Sequence, residues 1–457
     1  MQSATLHLVC ERERERLAFK AQDYWTLYSH YNGVAQLIAQ YEPPAKTGPK
    51  TNEEREIPKV TNLAEAKRIE ALARQNPHFI SGVEERVEKR LPPAPFITSS
   101  LQQMASVRLR FSPQHTMKIA QELYEGIGGS GLITYMRTDA VILSPEFVSD
   151  ARQWLTLNHL DCLADKAPTF RAASSPAAQG AHEAIRPTEV SFTPNQARGK
   201  LNHEQFLLYE MIWNRALASQ CKGATLARGR IQVTAGSTLW VARGLRVIDP
   251  GYLKFWKNIE DERELPNLKQ GQRLDLQDVK VEKKTTQPPS RYSEAKLVQL
   301  MEKLGIGRPS TYASTVLTLR ERDYVVLNQL VLAPTALGMA TDTVLMRAIP
   351  DLVDVKFTAK MEASLDQIAE GRIQWEKFLV DWNFNYLQTA LLSAQKSISE
   401  NPGPRAAASF SGQSPRKAPG KSPGKSTGRR GGKKSAGRVR RRSSVTSASS
   451  LRSIPES

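Results

Sequence analysis

The chain has 457 residues, of which 40% are hydrophobic and seven are Trp, enough apolar material for several packed cores and incompatible with a wholly disordered protein. Its net charge of +18 is uneven, because residues 401–457 carry fourteen Lys or Arg against Glu456 alone; the polyanion-seeking character is concentrated in that tail. Cys10, Cys162 and Cys221 lie far apart without a CxxC, which speaks against a zinc ribbon or a disulfide framework; with no bilayer-length apolar run and no signal-peptide layout, the expected setting is a reducing cytoplasm.

Taken in order, residues 4–22 predict a helix with Leu6, Val9 and Cys10 on one side and a solvated Glu/Arg run beyond, beginning without a cap. Between Asp23 and Lys89, short strands around Tyr24–Leu27 and Ile80–Val87 flank a helix near Asn62–Arg74, for which Asn62 is the expected N-cap. The second strand runs out through Val87-Glu88-Lys89-Arg90-Leu91-Pro92-Pro93, and Val281-Glu282-Lys283-Lys284 runs out later through Pro288-Pro289. Proline ends a ladder and stiffens a connection, so the two exits predict two legs of one module interrupted by an insertion. Residues 23–93 and 223–289 are therefore joined as one discontinuous β-rich domain, the latter alternating well over Ala227–Val233 and Leu239–Val241.

The insertion, 94–222, and the segment 290–400 predict versions of one unit. In the first, Ser99 and Gln102 form a capping box, and Ser112-Pro113 opens a second helix with Thr116, Ile119, Ala120, Leu123 and Tyr124 on one face; a strand through Tyr135 follows. In the second, Ser293 caps a helix with Leu297, Leu300, Met301 and Leu304, Gly305 ends it, and Arg308-Pro309-Ser310 opens another, followed by a hairpin over Tyr324–Ala333. Helix, turn, helix, hairpin is a winged-helix pattern. Helices over Thr358–Ala369 and from Ile373 to about Gln395 close the folded part, and residues 1–22 are grouped with 290–400. From Asn401 the Lys, Arg, Gly, Ser and Pro composition predicts a disordered basic arm.

Two phosphate-loop imitations are set aside. Gly126-Ile127-Gly128-Gly129-Ser130-Gly131 fits GxGxxG but follows a helix and precedes a strand, the reverse of a dinucleotide site, and is read as a flexible connector. Gly420–Ser426 falls one residue short of a P-loop within low-complexity sequence, so no ATP dependence is expected.

The informative stretch is Gly131-Leu132-Ile133-Thr134-Tyr135-Met136-Arg137-Thr138-Asp139. On a strand Tyr135 and Arg137 share a face, setting a hydroxyl nucleophile beside a cation that can hold phosphoryl oxygens as they gain charge. A half-buried Tyr and a solvated Arg satisfy the same spacing. Around this stretch the chain resembles bacterial DNA topoisomerase I, the type IA family, whose active-site string is Ile-Thr-Tyr-Met-Arg-Thr-Asp. Further strings match in the family's order: Val9–Arg16, Pro95–Gln103, Gln179-Gly180-Ala181-His182-Glu183-Ala184-Ile185-Arg186-Pro187-Thr188, Leu304–Ser314 and Phe357–Glu362.

The resemblance implies an α+β multidomain fold, with winged-helix-like helical domains joined by the discontinuous β-rich arch into the ring-shaped (toroid) core of type IA enzymes. It implies that Tyr135 cuts single-stranded DNA through a 5′-phosphotyrosine, without ATP, to relax negatively supercoiled DNA. Arg137 and His182 are then catalytic, and Gln121, Glu125, Thr134, Thr138, Asp139, Arg186, Arg308 and Thr311 contact DNA. Helix capping by Arg308 and Thr311, and a solvated Glu125, are the plain alternatives, and the glycine-rich run after Glu125 puts the setting of that residue in question.

The family's acidic, Toprim-like N-terminal domain and its zinc ribbons find no counterpart in the sequence, which lacks any Asp-x-Asp. Magnesium is thus implied by the family while no metal ligand is assigned, and a Toprim-like domain acting in trans is one expected partner. The other is DNA, single-stranded at the tyrosine and duplex along the tail, in the cytoplasm at the bacterial nucleoid. The alternative reading is a noncatalytic single-stranded DNA-binding remnant, or the product of a misplaced start codon. Deleting 401–457 should weaken binding to duplex and single strands alike and flatten the slope of log affinity against log salt, since its cations act by counterion release; salt titration of the full and the shortened chain with labelled single-stranded and duplex oligonucleotides checks this.

Overall fold

A computed structural model describes residues 1–34, 37–44, 59–170 and 182–400. The basic tail, its Gly420–Ser426 run and the Gln179–Ala181 start of the histidine string lie outside the described residues. The organising element is an antiparallel sheet of seven strands: β1 (Asp23–Tyr31), β2 (Ile38–Tyr41), β3 (His78–Arg90), β4 (Ala224–Ala235), β5 (Thr238–Asp249), β6 (Arg273–Leu274) and β7 (Leu276–Thr285), in the order β6-β3-β4-β5-β2-β1-β7. Pairing explains how so distant segments share one sheet. Arg90 lies opposite Ala224, so the chain leaves the sheet and re-enters it on neighbouring strands. At the far edge Asp23 faces Thr285 and the Thr286 N–H donates to the Gln22 carbonyl at 2.9 Å, bringing the segments before β1 and after β7 out side by side. The double prolines at 92–93 and 288–289 follow the ends of β3 and β7.

One face of the sheet is covered by the helix Leu63–Gln75, capped by Asn62, whose side chain accepts from Ala64 N–H. Ala66, Ile69 and Ala73 of that helix pack on Leu27, Tyr31, Ile80, Ile231, Val233, Trp240 and Val279. Trp240 is fully buried, edge-on to Tyr41 at 5.6 Å, with its indole N–H on the Thr238 hydroxyl at 2.9 Å.

The unit between Arg90 and Ala224 is built on helices Thr98–Leu109, Pro113–Glu125, Pro145–Asn158 and His203–Ala218 around Phe96, Leu101, Ile119, Leu123, Met136, Leu217 and Trp256. Arg215 crosses this core between Phe96 and Trp256, donating from Nε to the Ala94 carbonyl at 2.6 Å; burial, reinforced by Arg108, pulls its guanidinium down to about 10.

The second helical unit has the winged-helix order: helix Glu294–Lys303 capped by Ser293, helix Tyr312–Glu321, then the hairpin β8 (Val325–Asn328) and β9 (Val331–Pro334). Helix Gln2–Ala18 packs into the same core, where Leu6, Val9 and Cys10 meet Leu297, Met301, Val316 and Leu319. Asp342, fully buried, anchors it by accepting from Arg14 at 2.7 Å and pairing with His7 at 3.0 Å. The two helical units meet directly, helix Thr98–Leu109 on helix Glu294–Lys303 and helix Pro113–Glu125 on helix Tyr312–Glu321.

Four local expectations are corrected. The Thr98–Leu109 helix starts two residues earlier than a Ser99/Gln102 box requires, with Ser100 Oγ accepting from Ile97 N–H at 3.0 Å and Ser99 and Gln102 buried inside. Tyr124 departs from the buried face of its helix and is 40% exposed. The glycine run is a closed turn, Ile127 and Ser130 exchanging two backbone hydrogen bonds of 3.2 Å, and a Cβ at Gly126 (φ +75°) would fall 1.7 Å from the Ser130 carbonyl oxygen. Cys162 and Cys221, distant in sequence, touch. Replacing Trp240 by Ala should cost about 3–5 kcal/mol, as for a large aromatic removed from a packed core; urea unfolding of the variant measures it.

Candidate active site

Tyr135 does not lie on a strand. The segment 131–139 makes only the isolated bridge Ile133–Pro187, yet burial still alternates along it, with Ile133, Met136 and Thr138 inside and Tyr135 and Arg137 exposed. Threonine hydroxyls replace the ladder. Thr98 Oγ1 lies 2.7 Å from the Met136 carbonyl and 3.0 Å from the Thr138 carbonyl, and it accepts from Thr138 N–H at 2.9 Å. Thr134 Oγ1 donates to the Ala184 carbonyl at 2.7 Å and accepts from Arg186 N–H at 3.0 Å. The backbone is thereby fixed from both sides while the phenol points outward.

Tyr135 opens into a cleft of about 720 Å³ between the two helical units, lined on one side by Ser99, Arg137, Thr138, Asp139 and His182 and on the other by residues from Glu302 to Arg372. Tyr135 is 38% exposed and held in an aromatic row, edge-on to Tyr124 at 5.5 Å and tilted against His182 at 5.6 Å. Among the described residues Arg137 has neither hydrogen bond nor ion pair, so its charge is free for a ligand.

The other nominated residues divide. Arg308 lines the cleft, held bidentately by Asp366 at 3.2 and 2.5 Å; burial pulls its guanidinium down, but the Asp366 hydrogen bond and charge outweigh that and keep it above its ordinary range. Thr311 stands at the N-cap position of helix Tyr312–Glu321 without a side-chain cap; its hydroxyl turns back to Arg308, accepting from its N–H at 2.8 Å and lying 3.1 Å from its carbonyl. Thr138 and Asp139 line the cleft, Thr138 by a buried side chain whose hydroxyl accepts from Ala140 N–H at 3.0 Å. Thr134 is an anchor. Arg186 is not part of the cleft lining; it donates to Glu183 at 2.7 Å and to the Pro187 carbonyl at 2.9 Å and lies over Phe147. Gln121 donates to Glu125 at 2.8 Å on their own helix, and neither belongs to the cleft lining.

A family model described as DNA topoisomerase matches residues 1–380. The chain belongs to the type IA DNA topoisomerase family. It is similar to DNA topoisomerase 1 of Campylobacter jejuni, 37% identical over 410 residues that cover 88% of this chain and 57% of the relative. DNA topoisomerase 1 of Rickettsia bellii is 38% identical over 402 residues, 84% of this chain and 50% of the relative. Full-length topoisomerase I of Thermotoga maritima superposes with a TM-score of 0.71 at 35% identity, covering 87% of this chain and 62% of that one. The chain thus spans about half the length of the curated relatives it matches.

For this topoisomerase core, sequence reasoning passed over several cleft residues. Tyr124, expected on the core face of its helix, instead stands against the Tyr135 ring. Glu302, Asp366, Glu370 and Arg372 reach the tyrosine only through tertiary packing, and nothing in their spacing points there. Burial holds the Glu302 carboxyl above the usual carboxylate range, against a lesser pull from Ser99 and with a still smaller push from the Asp139 charge. Ionising a carboxyl whose folded pKa is raised costs the fold, so its contribution is intact below the unfolded pKa and is lost as pH rises through the folded one. Glu302→Gln should therefore melt at a temperature that falls less between pH 4 and pH 8 than the parent's; an identical pH profile would contradict the burial argument.

Proposed function

We propose that this chain is the strand-cleaving core of an ATP-independent DNA topoisomerase, in which Tyr135 attacks a phosphodiester of single-stranded DNA. The attack forms a phosphorus–oxygen bond to the tyrosine, breaks the bond to the 3′ oxygen, and leaves a 5′-phosphotyrosine and a 3′-hydroxyl. The reverse attack reseals the strand, and because the covalent link conserves the phosphodiester no nucleotide is consumed. The observation that carries the reading is a part-exposed Tyr135 in a cleft with Arg137 unpaired beside it and His182 against its ring. Arg137 would hold the phosphoryl oxygens as charge develops, and His182 would hydrogen-bond a phosphate of the bound strand. Arg308 would take a backbone phosphate in exchange for Asp366. Arg186 supports this arrangement from behind, through the Thr134 anchor, rather than by contact.

The family is magnesium-dependent, but the described residues do not fit a magnesium site. No three His, Cys, Asp or Glu among them cluster as ligands, Asp366 is held by Arg308, and Glu302 is half-buried with its ionisation disfavoured. No step is routed through the metal here. A Toprim-like acidic domain acting with this chain would supply that site. Single-stranded DNA would occupy the cleft and duplex DNA the basic tail, with the bacterial nucleoid as location. Among the described residues no helix is long and apolar enough to cross a membrane.

Tyr135→Phe removes only the hydroxyl. With magnesium and a separately expressed acidic domain from a relative, the variant should lose covalent protein–DNA adduct entirely while binding a single-stranded oligonucleotide within about twofold of the parent, the spread usual for a substitution that removes no contact to the ligand. Adduct surviving in the variant would assign the nucleophile elsewhere.

A further inference from the structure

Cys162 and Cys221 are 59 residues apart in sequence, yet their sulfurs lie 3.6 Å apart with both side chains fully buried. Backbone pairing on either side creates the approach. Leu163 bridges Cys221, the Lys222 N–H donates to the Cys162 carbonyl at 2.8 Å, and the Ala164 N–H donates to the Gln220 carbonyl at 3.4 Å. Cys162 closes the short turn Leu160–Cys162, and Cys221 follows the end of helix His203–Ala218. The contact is therefore fixed by the fold.

The two thiols are not equivalent. Cys221 donates to the Cys162 sulfur, which lowers the Cys162 thiol, with Lys254 and Lys222 assisting; the same bond and burial push Cys221 up. Cys10, in the other helical unit, has no cysteine beside it, and burial together with Asp342 pushes it up to about 12. Two sulfurs held 3.6 Å apart by the fold, with Lys222 and Lys254 near Cys162, have the arrangement of a nucleophile and a resolving thiol.

We infer that Cys162 and Cys221 form a modification site, a dithiol that a small peroxide converts to an intramolecular disulfide. The Cys162 thiolate attacks one oxygen of hydrogen peroxide, the O–O bond breaks, and hydroxide takes a proton to leave as water, giving a sulfenic acid. The Cys221 sulfur then attacks the Cys162 sulfur, the S–O bond breaks, and a second water leaves with the Cys221 proton. Two thiols are oxidised and one peroxide is reduced to two waters. The sulfurs must close by about 1.5 Å to reach bonding distance, within the reach of a side-chain rotation. The resulting covalent loop encloses His182 and the Ala184 and Arg186 backbone groups that anchor Thr134, so oxidation ties the base of the segment on which the Tyr135 site depends. Intracellular disulfides of this kind are transient and responsive to oxidant.

The reduced full-length chain is treated with hydrogen peroxide, alkylated with iodoacetamide under denaturing conditions, digested and weighed, with dithiothreitol added to half the sample. The expected result is one species joining the Cys162 and Cys221 peptides without their thiol hydrogens, separated again by dithiothreitol, and a Cys10 peptide that remains alkylated. Separate alkylation of Cys162 and Cys221 at a dose that oxidises free cysteine, a sulfinic acid on either without a link, or a link to Cys10 would each overturn the assignment.

Discussion

The Thr98 hydroxyl and its counterpart at Thr134 make the rest of the site possible. A nucleophilic side chain has to stand in an open cleft, while the backbone that carries it must be immobile and, where buried, fully hydrogen-bonded. A sheet would satisfy the second condition but would close the first by placing neighbours beside the tyrosine. Here Ile133, Met136 and Thr138 are sunk into the core, and two threonine side chains take up main-chain groups of Met136, Thr138, Ala184 and Arg186 that a ladder would otherwise have paired. Unsatisfied, each such group costs on the order of 1–3 kcal/mol. Short local bonds thus substitute for secondary structure, leaving Tyr135 free on its outer side.

The sheet contributes by geometry at a distance. Its pairing at Arg90–Ala224 and at Asp23–Thr285 sends two pairs of chain segments out of the sheet, each pair side by side. The unit carrying Tyr135 hangs from the first pair and the unit carrying Arg308 from the second, and their helices then pack against each other. The cleft is composite for that reason: one wall belongs to 97–182 and the other to 302–372.

This division also sets what the sequence could reveal. Local signals read well: Asn62, Ser112 and Ser293 cap the helices expected of them, and the double prolines mark the two exits of the interrupted sheet. The tyrosine string was found because its residues are contiguous. Residues brought in by packing left no trace in spacing, which is why Glu302, Asp366 and the contact of Cys162 with Cys221 escaped notice. The strand expected through Tyr135 failed in an instructive way. Alternating burial is a property of extended backbone, and extended backbone does not require a partner strand. The Ser99/Gln102 capping box failed because the helix is capped two residues earlier, at Ile97, which puts both side chains inside it and buries them.

The charges of the cleft decide how a polyanion can enter it. Arg137, Arg308 and Arg372 face Asp139, Glu302, Asp366 and Glu370, so the lining is not basic taken as a whole. Arg308 is joined to Asp366 and Arg372 to Glu370 at 3.1 Å, which leaves Arg137 as the cation among them that would meet a phosphate without displacing a carboxylate. The pairs are not deep: Asp366 keeps 43% of its side chain exposed and Arg372 67%. Pairs so exposed to water contribute roughly 0–1 kcal/mol. Exchange of a carboxylate for a phosphate at Arg308 is therefore inexpensive, while the carboxylate released returns to solvent. Under the proposed function the first contact and the later ones would then differ in kind, since Arg137 would attract the strand at the tyrosine directly and Arg308 would join only as the strand displaced Asp366.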